Sequence, residues 1–332
     1  MKKCIFILPY FGKFNNYFDL FLKSCSQNQG YEWLIFTDDR SNHNYPSNVN
    51  VVYTTFEELK QNFKDRLNIN ISLPKPYKLC DFKPTYGYVF SKYIKDYAYW
   101  GHCDCDLIFG NLEHMLTPLL EEGYDKLFAA GHLTIYKNNP ENNMRFMETY
   151  KGRELYKEFL TTPEICWFDE DWRLDNIHSI FLESKASVYT KSLAFNPSGK
   201  YSLFVQRAYN PEKRKYQDIK YKNAIYIWEH GNLYQIVSGS LPEQLERKEY
   251  LYMHFQHREM TMDERVLNKN CFQIVPNKFI LLKRMPKNKS ELKSMAKVPL
   301  TAYSFALKRT EKRIRNRINK INLRYKKLRN DI

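Results

Sequence analysis

The stretch Tyr97–Gly110, YAYWGHCDCDLIFG, constrains this chain more than any other. An aromatic run of strand character meets two carboxylates, Asp104 and Asp106, one residue apart, and a second apolar run ends on Gly110. A charged carboxylate left unpaired beside so much aromatic surface costs on the order of several kcal/mol. A divalent cation removes that cost, and carboxylate oxygens are the ligands that Mg²⁺ and Mn²⁺ prefer. In extended backbone, residues i and i+2 share a face. Both acids therefore reach one ion, while Cys103 and Cys105 turn toward the core.

A strand that ends on ligands needs a sheet to hold it, and the rest of the chain supplies one. Cys4–Leu8, Trp33–Thr37 and Val49–Tyr53 read as strands, with helices expected over Asn16–Ser26 and from the capping box Thr55-Phe-Glu-Glu58 onward. This alternation predicts a mostly parallel α/β sheet. Ligands of such sheets bind at the carboxyl ends of the strands, where Pro9, Tyr10, Asp38 and the acidic pair would meet. Further helices are expected at Leu112–Glu122, Met144–Tyr150 and Glu170–Glu183. Phe128–Tyr136 reads as a strand pair broken at Gly131, and Ala224–Trp228, Leu233–Val237 and Tyr250–His254 as later strands.

With 332 residues the chain holds one large α/β domain plus an appendage. No apolar run reaches the roughly 20 residues that span a bilayer. The seven cysteines are scattered and odd in number, which suits a reducing compartment. The net charge of +15 is concentrated after Lys297, where Glu311 and Asp331 are the only acids. There Ile314, Ile318, Ile321, Tyr325 and Leu328 recur at steps of four and three, one face of a basic amphipathic helix. The expected organisation is a domain over residues 1–285 and a helical tail over 286–332. The tail would hold an anionic membrane surface, with self-association as a homodimer through the same seam as its rival.

Two distant segments complete the chemistry. Trp167–Asn176 carries Asp169, Glu170, Asp171 and Asp175 between aromatics, at what reads as a helix start, where acids are also favoured by the macrodipole. Tyr252–Arg258 is a strand ending on His254, with Arg258 four residues on. A histidine completes a carboxylate metal site and an arginine neutralises a diphosphate. The run His102-Cys103-Asp104-Cys105 has no second cysteine pair, and so fits a closed zinc site poorly.

Taken in order, Pro9-Tyr-Phe-Gly12, Thr37-Asp38, Tyr77-Lys78-Leu-Cys-Asp81-Phe-Lys83-Pro, Gly101-x-x-Asp104-x-Asp106-Leu-Ile-Phe-Gly110, Gly131-His132 and His254-Phe-x-x-Arg258 resemble bacterial glycosyltransferases of the GT-A fold. The likeness, over about residues 1–285, is to the surface-polysaccharide type that builds capsule and lipopolysaccharide and carries an Asp-x-Asp motif. It implies a Rossmann-like half that seats a UDP-sugar, UDP-galactose among the donors, with Mn²⁺ or Mg²⁺. Pro9, Tyr10 and Asp38 would lie near the uridine, Asp104 near ribose and metal, and Asp106 and His254 on the metal. Lys78, Asp81 and Arg258 would serve the donor, Lys78 and Arg258 adding positive charge at the diphosphate. Asp169 and Glu170 would work at the acceptor side, as base or as stabiliser of the cationic sugar; relatives often show Asp-Gln-Asp where this chain has Asp169-Glu170-Asp171. The implied reaction is hexosyl transfer to a glycan, one carried on a lipid, at the cytoplasmic face of the bacterial membrane.

Two other classes fit the sequence less well. A nucleic-acid-binding protein would spread its basic excess over the body, whereas here it is confined to the tail. A sugar-nucleotide nucleotidyltransferase would carry a Gly-rich basic loop after the first strand, and Pro9-Tyr-Phe-Gly12-Lys13 is not one.

Overall fold

A computed structural model describes residues 2–256 and 258–298, with 300–303 and scattered positions from 307 to 318. Strand β1 (Lys2–Tyr10) is apolar on both sides: Cys4, Phe6 and Leu8 enter one core, Ile5 and Ile7 the other. Such a strand needs cover on both faces. Helix α1 (Phe18–Ser26) supplies one cover and α2 (Phe56–Leu67) the other. The expected capping box opens α2, Thr55 accepting from the Glu58 N–H and Glu58 from that of Thr55. Strands β2 (Tyr31–Thr37), β3 (Val49–Tyr53) and β4 (Tyr97–Cys103) join β1 in parallel, in the order β3-β2-β1-β4. Because the chain winds outward from β1 in both directions, a crevice opens beyond the carboxyl ends of β1 and β4.

Strand β5 (Leu107–Phe109) follows the acidic pair. The seven-stranded sheet continues with β6 (Lys126–Leu127), β7 (Leu133–Lys137) and β8 (Val188–Tyr189), β7 running against β4. The helix expected over Leu112–Glu122 is two short ones, Leu112–Met115 and Thr117–Glu121, with Pro118 in the first turn of the second. The segment after Met144 is a 3₁₀ turn, Arg145–Met147. Glu170–Glu183 is helical only from Ile177, where Asn176 caps it by accepting from the Ser179 N–H. The acids at 169–171 therefore stand in a turn and not on a helix terminus.

Strand β9 (Ala194–Phe195) leads to a hairpin, β10 (Gln206–Asn210) and β11 (Lys215–Ile219), which the sequence reading did not anticipate. Then come β12 (Ile225–Glu229), β13 (Asn232–Ser238), β14 (Leu245–Tyr250), β15 (Tyr252–His254), β16 (Thr261–Met262), β17 (Cys271–Val275) and β18 (Lys278–Leu281). All but β15 form a second, mostly antiparallel sheet, ordered β14-β13-β12-β17-β18-β16. Its core, with Trp228, Phe272 and Phe279, packs against Tyr17 and Leu20 of the α1 region. Strand β15 leaves that sheet to lie between β5 and β9.

Packing continues past the expected boundary at residue 285. The helix Lys289–Met295 buries Leu292 against Ile225, Ile227 and Ile236. Of the helical tail expected over 286–332, everything after Ile318, and with it Ile321, Tyr325 and Leu328, lies outside the described residues, while Ile314 and Ile318 are exposed. Among the described residues no helix is long and apolar enough to cross a membrane.

Candidate metal and donor site

The carboxyl ends of β1 and β4 open into a cleft of about 1020 Å³. Pro9, Tyr10, Asp104, Asp106, Asp169, Glu170, His254 and Arg258 all line it. The alternation read from the sequence holds: Cys103 and Cys105 are buried, while the Asp104 and Asp106 side chains are 35% and 22% exposed. His254, at the end of β15, is brought to them by the antiparallel β5–β15 ladder, in which His254 faces Leu107. Its Nε2 lies 3.4 Å from Asp106 Oδ1 and 3.9 Å from Asp104 Oδ2. Ligand atoms of the three residues fall within 4.8 Å of one another. Two carboxylates and an imidazole converging at that range suit a hard or borderline divalent cation. Burial works against a charge on His254, but Asp106 and Asp104 outweigh it and hold its pKa above the ordinary range. The opposite nitrogen, Nδ1, is buried with no hydrogen-bond partner among the described residues. His132 stacks on the ring at 4.2 Å, its own Nδ1 2.8 Å from the Tyr252 hydroxyl.

The second wall comes from Pro76–Thr85, a 3₁₀ segment. Three residues per turn place i and i+3 on one face. Tyr77, Cys80 and Lys83 consequently line the cleft, while Lys78 and Asp81 share another face and are fully buried. Neither Lys78 nor Asp81 lines the cleft, contrary to their expected service to the donor. Lys78 Nζ donates to Asp81 (2.7 Å) and to the carbonyls of Phe159 (2.8 Å) and Glu164, and Asp81 accepts from the N–H groups of Cys166 and Phe168 (2.9 Å each). The pair braces the loop that leads to Asp169. Asp38 is also outside the cleft lining; it accepts from the Gly12 N–H at 2.7 Å and so shapes the loop after β1.

Lys83 is the cleft cation that the sequence reading passed over. Its Nζ donates to Asp104 Oδ1 (2.8 Å) and to the Gly131 carbonyl (2.7 Å), and lies 3.2 Å from Asp169 Oδ2. Burial opposes its charge, but Asp104 and Asp169 more than compensate and raise its pKa. Asp169 is buried, and burial pushes its carboxyl up to about 7 although Lys83 opposes the rise. Gly131 makes this approach possible: a Cβ there would stand 2.4 Å from Asp169 Oδ2. Glu170 is half-buried and accepts from the Tyr216 hydroxyl at 2.9 Å. Asp171 turns away, bound by Arg214, Tyr209 and Asn176. Trp167 (φ 59°) and Gln256 (φ 54°) hold left-handed backbone beside the two halves of the site, a conformation that is uncommon away from glycine and recurs at functional sites.

Arg258 is 4% exposed, and its guanidinium donates to the carbonyls of Ser198, Tyr201, Ser202 and Pro276. It pins the 198–203 loop to the end of the cleft. A second trio, Cys80, Asp81 and Asp169, also brings ligand atoms within 4.8 Å. Its carboxylates are already taken by Lys78, Lys83 and backbone N–H groups, so it is an ion-pair network and not a metal site.

The model of a family of unknown function, DUF6625, matches residues 6–283. No curated protein matches the sequence. Among solved structures, the chain is similar to the galactosyltransferase LgtC in complex with donor and acceptor sugar analogues: 10% identity and a TM-score of 0.33, covering 59% of this chain and 76% of that one. An active-site mutant of LgtC is similar at 11% identity, with the same TM-score and coverage.

Proposed function

The chain belongs to the DUF6625 family of unknown function, and for its cleft we propose metal-dependent transfer of a hexosyl group from a UDP-sugar to a glycan acceptor. The observation that carries this reading is the convergence of Asp104, Asp106 and His254 within 4.8 Å at the mouth of the β1/β4 crevice. A nucleotide fits that crevice, and a diphosphate fits beside a cation held there.

Asp104, Asp106 and His254 would hold Mn²⁺ or Mg²⁺. Bound there, the ion supplies positive charge against the diphosphate as it departs. The chain's own residues do the rest. Pro9 and Tyr10 form the floor on which the uracil end lies. Lys83 aims Asp104 through its hydrogen bond and sets a positive charge 3.2 Å from Asp169. Asp169 and Glu170 stand where an acceptor hydroxyl or the cationic sugar would be met, and either carboxylate accepts a proton once ionised. The buried Lys78–Asp81 pair fixes the loop that presents them, so both act as positioning residues. In this reading Arg258 supports the diphosphate end by shaping the 198–203 loop, and the positive charge facing the phosphates comes from Lys83.

The acceptor is a surface glycan carried on a lipid, and the basic tail holds the enzyme at the anionic cytoplasmic face of the membrane. Flotation with anionic vesicles, with and without residues after Lys297, tests that part. Calorimetric titration with UDP and Mn²⁺ tests the site itself. Asp106→Ala should lower UDP affinity on the order of 100-fold, the upper end of what losing even an outer-shell partner costs, while the thermal melt stays cooperative. Equal UDP affinity in the two proteins refutes the assignment.

A further inference from the structure

The β10–β11 hairpin brings one more charged group to the cleft. Arg207 lies on β10 and lines the cavity together with Trp172, Glu170 and Lys200. Its guanidinium carbon sits 4.8 Å from the ring centroid of Trp172 and 4.8 Å from that of Tyr216. The two rings are themselves 6.3 Å apart and tilted by 37°, so the guanidinium leans on both. Two aromatic rings hold the guanidinium but offer no anion. Among the described residues no carboxylate pairs with it: Glu170 accepts from Tyr216, Asp171 is held by Arg214, and Asp218 is paired with Lys200. Every other arginine wholly within residues 140–260 that lines this cleft, namely Arg258, is turned onto backbone carbonyls.

A half-buried guanidinium held against two rings, with no carboxylate paired to it among the described residues, offers an N–H fork that matches the geometry of a carboxylate or phosphate. Trp172 is 50% exposed beside it, a free apolar face of the kind on which a sugar ring stacks. We infer that Arg207, with Trp172 and Tyr216, forms an acceptor subsite for a sugar bearing an anionic group, a uronate carboxylate or a phosphate substituent. Glu170 stands next to it through Tyr216, which places the anionic sugar beside the reacting hydroxyl and not on the nucleotide. This inference rests on the transferase reading for its direction, since that reading makes this end of the cleft the acceptor end.

The test is binding of three probes to the full chain: a glucuronate-terminated disaccharide, its neutral glucose congener, and a disaccharide carrying a phosphate monoester. Each is titrated with and without UDP and Mn²⁺, at low and high salt. The uronate or the phosphate probe should bind about tenfold more tightly than the neutral one, a difference of about 1.4 kcal/mol. Whichever anion binds better identifies the source. Arg207→Gln should abolish the preference, Arg207→Lys should keep part of it, and Trp172→Ala should weaken all three probes alike. Equal binding of neutral and anionic probes, or a preference that survives Arg207→Gln, overturns the inference. An Arg207-dependent preference in a protein that fails to bind UDP and Mn²⁺ upholds the anion subsite and refutes the donor reading instead.

Discussion

Asp169→Asn should make the protein more stable at alkaline pH while removing the transfer activity proposed for it. The Asp169 carboxyl is buried, and its pKa rises from 3.8 in the unfolded chain to about 7 in the fold. Between those values the folded state binds the extra proton, so stability is lost as pH rises from about 4 to about 7. Each pKa unit is worth 1.36 kcal/mol, which puts the full penalty at pH 8 at about 4 kcal/mol. The attraction of Lys83, 3.2 Å away, is already contained in that value because it opposes the rise. An amide carries no charge to desolvate, and Lys83 keeps its hydrogen bonds to Asp104 and the Gly131 carbonyl. The variant should therefore gain about 2–4 kcal/mol at pH 8 and almost nothing at pH 4. Urea denaturation in the presence of a chelator, at both pH values, reads this as a midpoint shift with unchanged slope. A variant that is no more stable at pH 8, or that shifts equally at both, refutes the reasoning. Turnover measured on the same preparation should collapse while UDP affinity holds, because a residue kept at an energetic loss is kept for what it does.

Lys78→Met leaves Asp81 buried with two backbone donors but no cation, and should cost about 3 kcal/mol, at the low end for a broken buried pair; urea midpoints check it, and Lys78→Met with Asp81→Asn should recover part of the loss. Arg258→Lys should cost about 2 kcal/mol, since one ammonium cannot serve carbonyls spread from Ser198 to Pro276. Limited proteolysis should then cut in the 198–203 loop, and an uncut loop would show that other contacts hold it.

The parallel half of the fold was legible because its strands are bracketed by turn residues and α2 opens on the capping box of Thr55 and Glu58. The acidic pair was legible because a two-residue period fixes which side chains share a face. His254 was found from its place at a strand end, although the ladder that delivers it to Asp106 is a long-range contact that no local pattern encodes. Lys78 was expected at the diphosphate and Lys83 was given no role, for a definite reason. Both sit in one basic, aromatic run, and only the three-residue period of a 3₁₀ segment, not evident from composition, turns one inward and the other to the cleft. The β10–β11 hairpin escaped because its strands, QRAYN and KYQDI, are polar and carry no apolar alternation, with only Gln206 and Tyr209 buried. Arg207 escaped with it. The acids at 169–171 looked like a helix start because the cap, Asn176, lies only a few residues further on.

The strand β15, lying between β5 and β9, has a consequence for how the protein comes to exist at all. Its backbone ladder joins Leu107 to His254, two positions separated by most of the second half of the body. Long-range ladders of this kind form slowly, because the intervening chain must be placed before the pairing is rewarded. A nascent or truncated chain ending before β15 would hold the complete parallel half of its first sheet and both acids, yet offer a cation only two ligands. In the proposed reading the third metal ligand thus depends on this long-range pairing, and a chain that has not made it holds an incomplete site.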